Sequence, residues 1–173
     1  MAVHTLPAIS VIVLRNANFS RDSALLLEWR NDPETRANSV NTGALQREAH
    51  EEWLRRTLSD PSRRVFIAEL LGKPVGAVRL DSREDFTELS WMVAPEARGK
   101  GIGKGMVNAA IRLLSGKVTA RIKASNAPSI KIAVDAGFVK EREEDGLTYW
   151  RLSPKSDVSL ISPDPSLGKR GTL

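Results

Sequence analysis

The stretch Val93-Ala-Pro-Glu-Ala-Arg-Gly-Lys-Gly-Ile-Gly-Lys-Gly105 leaves an apolar strand, passes through a glycine-rich turn and enters a helix with apolar periodicity. Its glycines allow backbone N–H groups to come within hydrogen-bonding distance of an anion. A helix that begins near Gly101 adds unpaired N–H groups and the positive end of its dipole. The stretch therefore predicts a strand–loop–helix unit that binds a phosphorylated cofactor, with further positive charge on Arg98, Lys100 and Lys104.

The sequence motifs of two common phosphate-binding loops do not match this stretch. A Walker loop needs Ser or Thr directly after its lysine to hold magnesium, and neither Lys100 nor Lys104 is followed by one. A Rossmann turn needs Gly-x-Gly-x-x-Gly, and the position of its third glycine is occupied by Lys104. What remains is Arg98-x-x-Gly101-x-Gly103, for which a basic turn that only caps a helix is the alternative interpretation.

Composition limits the classes of function. The 173 residues suit one domain over 1–152, followed by a segment at 153–173 rich in Pro, Ser and Gly that we expect to be a mobile tail. The absence of cysteine excludes disulfides, thiolate metal sites and a cysteine acyl-enzyme. Two histidines are too few for a histidine-rich zinc site, so we expect no metal. The N-terminal apolar run at 8–14 is far shorter than the ~20 residues of a membrane span, so we expect no membrane association and a cytoplasmic location.

The net charge of +5 favours acidic partners. Nucleic acid is one such partner, but the basic residues are spread among 21 acidic ones and no basic stripe interleaved with aromatic residues is present. We therefore expect a small acidic ligand and no nucleic acid.

Periodicity and turn residues predict eleven elements in the order β-α-α-β-β-β-α-β-α-β-β, an α+β (mixed α/β) fold. The predicted strands lie at 9–14, 64–71, 75–81, 86–93, 118–124, 138–142 and 147–152, and the predicted helices at 21–30, 45–58, 101–114 and 128–136.

Arg98-x-x-Gly101-x-Gly103, followed by Asn126-Ala-Pro-Ser129 and by Gly137-Phe138, resembles the GCN5-related N-acetyltransferases, the GNAT family. The resemblance covers residues 9–152 and implies a single domain with a central twisted mixed sheet of six or seven strands and helices on both faces. It implies acetyl-CoA as co-substrate, with Asn126 and Ser129 beside the pantetheine arm. The other residues that it assigns to the cofactor are Met92, Val93, Arg98, Gly99, Lys100, Gly101, Ile102, Gly103 and Lys104.

The same resemblance suggests catalytic groups. Glu88 lies ten residues before Arg98, close to where some members carry a catalytic glutamate, and is our first candidate for the base that deprotonates an amine. His50, acting through a water, is the alternative. The strand of Glu88 splays from its neighbour in the family, so a backbone N–H near Met92 is expected to bind the thioester oxygen. Many members place a tyrosine acid where this chain has Ala133.

The acceptor side has a more specific likeness. Trp29-Arg-Asn-Asp-Pro-Glu-Thr-Arg36, His50-x-x-Trp53 and Val78-Arg-Leu-Asp81 resemble the N-acetyltransferases of pseudaminic-acid and related flagellin-sugar pathways, which implies a nucleotide-linked amino deoxysugar as acceptor. Trp29 or Trp53 would stack on a sugar or base, and Arg30 or Arg79 would bind a diphosphate. Asn31 and Ser90 complete this predicted acceptor set.

Other interpretations stay open at this point. Both tryptophans fit a helix core, and Arg30 fits a cation at a helix C-terminus. The Trp-x-Asn-Asp-Pro-Glu opening also occurs in acetyltransferases of ribosomal-protein and other N-terminal amines. The missing tyrosine would suit an inactive fold that senses acyl-CoA. The chain is expected to be a monomer or a homodimer.

Overall fold

Seven strands form one mixed sheet in the computed structural model, which describes residues 11–153. The order across the sheet is β1-β2-β3-β4-β5-β7-β6, and only the β4–β5 pair is parallel among these strands. This confirms the predicted mixed α+β fold. The strands are β1 (Ile12–Asn16), β2 (Arg63–Leu70), β3 (Lys73–Ser82), β4 (Thr87–Val93), β5 (Val118–Lys123), β6 (Val139–Glu144) and β7 (Leu147–Leu152).

Helices cover both faces of the sheet. They are α1 (Phe19–Asn31), α2 (Pro33–Asn38), α3 (Arg47–Ser59), α4 (Ile102–Ile111) and α5 (Ala127–Asp135). On one face, Arg15 of β1 forms an ion pair with Asp22 of α1, and Arg79 of β3 lies over the Trp53 ring of α3. On the other face, a Cβ on Gly76 of β3 would lie 2.6 Å from Cε of Met106 in α4. We call the first the α1/α3 face and the second the α4 face.

The helix α2 was not predicted. The sequence Asn31-Asp-Pro33 follows the helix predicted at 21–30, and it does end α1. The same residues also begin α2, because Asp32 accepts a hydrogen bond from the Thr35 N–H at 2.9 Å and Pro33 takes the first helical position, where its missing N–H costs nothing. The six residues of α2 bury no side chain fully, so apolar periodicity gave no signal.

Several predicted boundaries shift. The helix α4 ends at Ile111 rather than 114, and Leu113, which lies within the predicted helix, is 48% exposed. The first strand begins at Ile12 within the described residues, and positions 9 and 10 lie outside them. The predicted tail also lies outside them except for Ser153. Within residues 11–153, the helices lack the length and apolar character needed to cross a bilayer.

The parallel strands β4 and β5 pair only at their beginnings. Two residue pairs join them, Thr87 with Val118 and Glu88 with Thr119, although β4 continues to Val93. On its other side β4 pairs with β3 along its whole length. The sheet therefore opens into a gap after Glu88, which agrees with the splay that the family resemblance implied.

Candidate active site

Backbone N–H groups of β4 point into the gap between β4 and β5. In an antiparallel ladder, alternate residues exchange hydrogen bonds with the partner strand and the others point away. The Ala94 N–H donates to Val75, which continues the β3 side, whereas the Thr87 N–H donates to Lys117 on the β5 side. Odd-numbered residues of β4 therefore point their N–H groups toward β5. Since the pairing with β5 stops at Glu88, the N–H groups of Trp91 and Val93 face the open gap.

This register corrects the prediction for Met92. Its N–H lies on the β3 side, opposite Ala77, and is not aimed at a ligand in the gap. Of the N–H groups near Met92, where the donor was predicted, those of Trp91 and Val93 face the gap. A one-residue shift in a strand reverses the direction of every backbone group, which sequence spacing alone does not resolve.

The glycine loop combines left-handed backbone with open space. Gly99 (φ +72°) and Gly101 (φ +74°) adopt conformations that L side chains rarely adopt, and a Cβ on either would meet nothing within 4 Å. Gly101 is the N-cap of α4 and has no side-chain cap. The first intrahelical bond is Gly105 N–H to Gly101 C=O, so the N–H groups of residues 102–104 have no partner within the helix. This arrangement suits an anion such as a pyrophosphate.

Gly103 serves a different purpose from the other loop glycines. A Cβ there would lie 2.5 Å from Cδ1 of Ile132 in α5 and 3.1 Å from Cγ2 of Val93. The buried Ile102 follows the turn at Gly101 and belongs to the core. Because Gly103 has no side chain, α4 can lie close to both β4 and α5. This close packing fixes the loop beside the gap.

The three cations of the glycine loop differ in their contacts. The guanidinium of Arg98 is held by α2, where its Nη2 lies 2.6 Å from Oδ2 of Asp32 and its Nη1 lies 3.1 Å from Oε2 of Glu34. Lys100 Nζ donates to the Glu96 carbonyl at 2.9 Å. Lys104 is exposed and forms no ion pair with another residue of 11–153.

The predicted pantetheine residues lie at the start of α5. The Asn126 side chain is its N-cap, and its Oδ1 accepts the Ser129 N–H at 3.1 Å. That oxygen therefore caps α5. Ala133, on the same helix, is completely buried. The methyl group of Ala133 does not reach the surface, so core packing stands here in place of the acid that many family members carry.

Glu88 lies at the apex of the gap. It belongs to the last residue pair between β4 and β5, and its Oε1 accepts a hydrogen bond from Nη2 of Arg121 at 2.9 Å. This carboxylate raises the pKa of Arg121 through the hydrogen bond, although burial of the guanidinium opposes the shift. Glu88 shares the α1/α3 face with Ser90, which is half-buried two residues farther along β4.

His50 is buried within the helix layer. It is 2% exposed, and its Nε2 lies 2.9 Å from the Ser23 carbonyl of α1, so that nitrogen donates its proton there. Burial lowers the pKa of His50 below its ordinary value, although the bond to Ser23 opposes the shift. The alternative base is therefore a packing residue that connects α1 and α3.

Three of the residues predicted to bind the acceptor are buried or hydrogen-bonded within the protein. Trp29 is 2% exposed and packs in the core, so it presents no ring face to a ligand. Arg30 donates from Nη2 to the Asn41 carbonyl. Asn31 exchanges two hydrogen bonds with the backbone of Leu45, at 2.8 and 2.9 Å. These contacts fix the loop between α2 and α3.

Trp53 and Arg79 do come together on the α1/α3 face. The Arg79 guanidinium lies 5.9 Å from the centre of the half-buried Trp53 ring. Its Nε donates to Oδ2 of the buried Asp81 at 2.9 Å, and its terminal nitrogens form no hydrogen bond with another residue of 11–153. In the sheet, Arg79 pairs with Ser90 and Asp81 pairs with Glu88. The four side chains therefore line one face of the sheet beside the gap.

Two cations near the gap were missed by sequence reasoning. Arg121 and Lys123 of β5 alternate with buried Ala120 and Ile122, a pattern that indicated only an ordinary exposed face. Arg121 contacts Glu88, and Lys123 Nζ donates to the Ala37 carbonyl of α2 at 2.8 Å. Both partners are distant in sequence, so spacing carried no signal.

Comparisons with known proteins agree with this geometry. A model of the acetyltransferase (GNAT) domain matches residues 12–139. A domain from Methanocaldococcus jannaschii is similar with a TM-score of 0.75 and 25% identity, over 83% of this chain and 99% of that one. An aminoglycoside acetyltransferase in complex with coenzyme A is similar with a TM-score of 0.71 and 22% identity, over 82% and 94%.

A spermidine N-acetyltransferase from Vibrio cholerae, in complex with CoA and spermine, has the same TM-score of 0.71 at 19% identity, over 81% of this chain and 92% of that one. A search of curated protein sequences found no match. At these identities, the solved structures establish the shared fold, while the family model establishes the relationship.

Proposed function

The chain belongs to the GNAT family of acetyltransferases, and on this premise we propose that it transfers an acetyl group from acetyl-CoA to a primary amine. The observation that carries the proposal is the gap after Glu88, where unpaired N–H groups of β4 adjoin the glycine loop at the start of α4. The loop suits the pyrophosphate, and the gap suits the extended pantetheine arm, whose amides can pair with β4.

Acetyl-CoA would supply the acyl group as a thioester. The N–H groups of Trp91 and Val93 would then hydrogen-bond to the carbonyl oxygen and stabilise the negative charge that develops on it. Glu88, directly or through a water, would accept the proton that the amine loses as its nitrogen bonds to the carbonyl carbon. The carbon–sulfur bond breaks in the same reaction. Because a thiol has a pKa of ~8.5, it can leave as thiolate without an acid at position 133.

We propose an amino group on a nucleotide-linked deoxysugar as the acceptor. Trp53 supports this assignment because its half-buried ring can stack on a sugar or a base. Arg79 supports it because a guanidinium pairs well with a diphosphate, and it lies on the same face as Glu88. Two of the solved structures named above are an aminoglycoside acetyltransferase and a spermidine N-acetyltransferase, so the test compares several classes of amine.

The experiment offers acetyl-CoA with a panel of amino-sugar nucleotides, the matching free amino sugars, polyamines and peptides with free N-termini. A thiol reagent follows CoA release, and the protein contributes no background because it has no cysteine. Turnover of the sugar nucleotides at least ten times faster than that of the free sugars supports the proposal. Preference for peptides would assign the chain to acetylation of N-terminal amines. Binding of CoA without turnover of any amine would indicate a sensor.

A further inference from the structure

The side chain of Arg98 turns away from the glycine loop to which its backbone belongs. Its Nη2 lies 2.6 Å from Oδ2 of Asp32 and 2.7 Å from Oγ1 of Thr35, and its Nη1 lies 3.1 Å from Oε2 of Glu34. The guanidinium is thus held by two carboxylates and a hydroxyl from the N-cap and the first turn of α2. Such charge-assisted hydrogen bonds are short and directional, so they fix the orientation of the Arg98 guanidinium group.

Asp32 is the residue on which two helices meet. It is the C-cap of α1 and the N-cap of α2, and its carboxylate accepts the Thr35 N–H as well as the Arg98 guanidinium. The Thr35 N–H and then Arg98 hold the pKa of Asp32 below its ordinary value, although partial burial opposes them. Any movement of the α1–α2 corner therefore has to move Arg98 or break this contact.

The other end of α2 is attached to the opposite side of the gap. Lys123 of β5 donates from Nζ to the Ala37 carbonyl at 2.8 Å. By strand alternation Lys123 shares the α1/α3 face with Glu88, which pairs with Thr119. The helix α2 thus contacts the glycine loop at one end and β5 at the other. It bounds the open gap on the face that carries Glu88 and Arg79.

From these contacts we propose that Arg98 is a positioning residue that couples the cofactor loop to the acceptor side, and that the pyrophosphate is left to the loop N–H groups. This rests on the proposed function, because it takes acetyl-CoA as the ligand of the loop. A cofactor that orders residues 99–104 also orders Arg98, and through Asp32 it orders α2 and the loop that Asn31 holds at Leu45. Binding energies are reciprocal, so the acceptor binds more tightly to the loaded protein.

The experiment measures amide hydrogen exchange of residues 32–45 with and without CoA, together with the CoA dissociation constant. In the wild type, we expect CoA to slow exchange in this segment. Arg98→Met should abolish that protection while changing the CoA dissociation constant by less than about threefold. Asp32→Asn should do the same, because Asn retains the helix cap but loses the charge, which also guards against a variant that fails to fold. Arg151→Met is the matched control, since its guanidinium pairs with Glu141 of β6 and not with α2.

The outcomes separate the two proposals. Failure of the wild type to bind CoA would overturn the proposed function and this coupling with it. Binding of CoA without protection of residues 32–45 would overturn the coupling alone. A tenfold or larger loss of CoA affinity in Arg98→Met, with affinity retained in Asp32→Asn, would show that Arg98 binds the pyrophosphate directly and would also overturn the coupling. Where an acceptor is known, its KM should rise in both variants more than the KM for acetyl-CoA.

Discussion

Glu88 and Arg121 are joined across the last paired position of β4 and β5, with 2.9 Å between Oε1 and Nη2. One residue farther along, the strands no longer pair. The carboxylate that we propose as the base therefore lies at the point where the pairing of β4 with β5 ends and the gap begins. Arg121 is half-exposed, so its contact orients Glu88 more than it stabilises the fold.

Glu88→Gln is expected to lower kcat by roughly 10²–10⁴-fold, because an amide keeps the size of the side chain but accepts no proton at neutral pH. The KM for acetyl-CoA should change little, since Glu88 lies at the apex rather than along the loop. Glu84→Gln, on the exposed turn between β3 and β4, is the matched control. Retention of full kcat in Glu88→Gln, measured by CoA release, would remove Glu88 from the mechanism.

Gly101→Ala is expected to weaken CoA binding about tenfold or more, because an alanine there destabilises the left-handed turn that aims the loop N–H groups, by ~1–2 kcal/mol. Gly116→Ala is a close control, since Gly116 also has a positive φ (+84°) and open space around its Cβ position but lies after α4. Both variants should lose similar thermal stability. Isothermal titration should find the CoA affinity altered only at Gly101, and equal affinities in the two variants would contradict a cofactor role for the loop.

Ala133→Tyr restores the side chain that many family members use as an acid, yet it is expected to destabilise the protein rather than activate it. Ala133 is completely buried, and overpacking a filled core costs typically ~1–3 kcal/mol and sometimes more. Val134→Tyr, at the next position of α5, should stay within ~0.5 kcal/mol because Val134 is 55% exposed. Denaturant unfolding measures both, and a stable Ala133→Tyr with higher kcat would show that the pocket admits an acid.

The sequence predicted those parts of the site that depend on local conformation. The loop at 98–103 was recognisable because left-handed turns need glycine and an apolar helix follows them. The contacts of Arg98 and Lys123 were not predictable in the same way. The partner of Arg98 lies 66 positions away, at Asp32. Trp29 and Trp53 occupy similar amphipathic helices, and only the packing of α1 and α3 on the sheet buries one ring and leaves the other half-exposed.

The buried His50 should make the free energy of unfolding depend on pH. Burial keeps its pKa below the ordinary 6.5, so between pH 6.5 and the native pKa the unfolded chain binds a proton that the folded chain does not. The free energy of unfolding should therefore fall as the pH drops below 6.5, by at most ~1.4 kcal/mol per pH unit.

His50→Gln should flatten this dependence, because its amide can still donate to the Ser23 carbonyl but does not titrate. The carboxylates with lowered pKa, such as Asp22 and Asp32, lose their contributions only as the pH falls below about their ordinary 3.8, so they do not interfere above pH 5. Urea unfolding at pH 5 to 8 measures the difference. Parallel curves for the wild type and His50→Gln would mean that His50 has the same pKa in the folded and unfolded states, and that its contact with Ser23 offsets its burial completely.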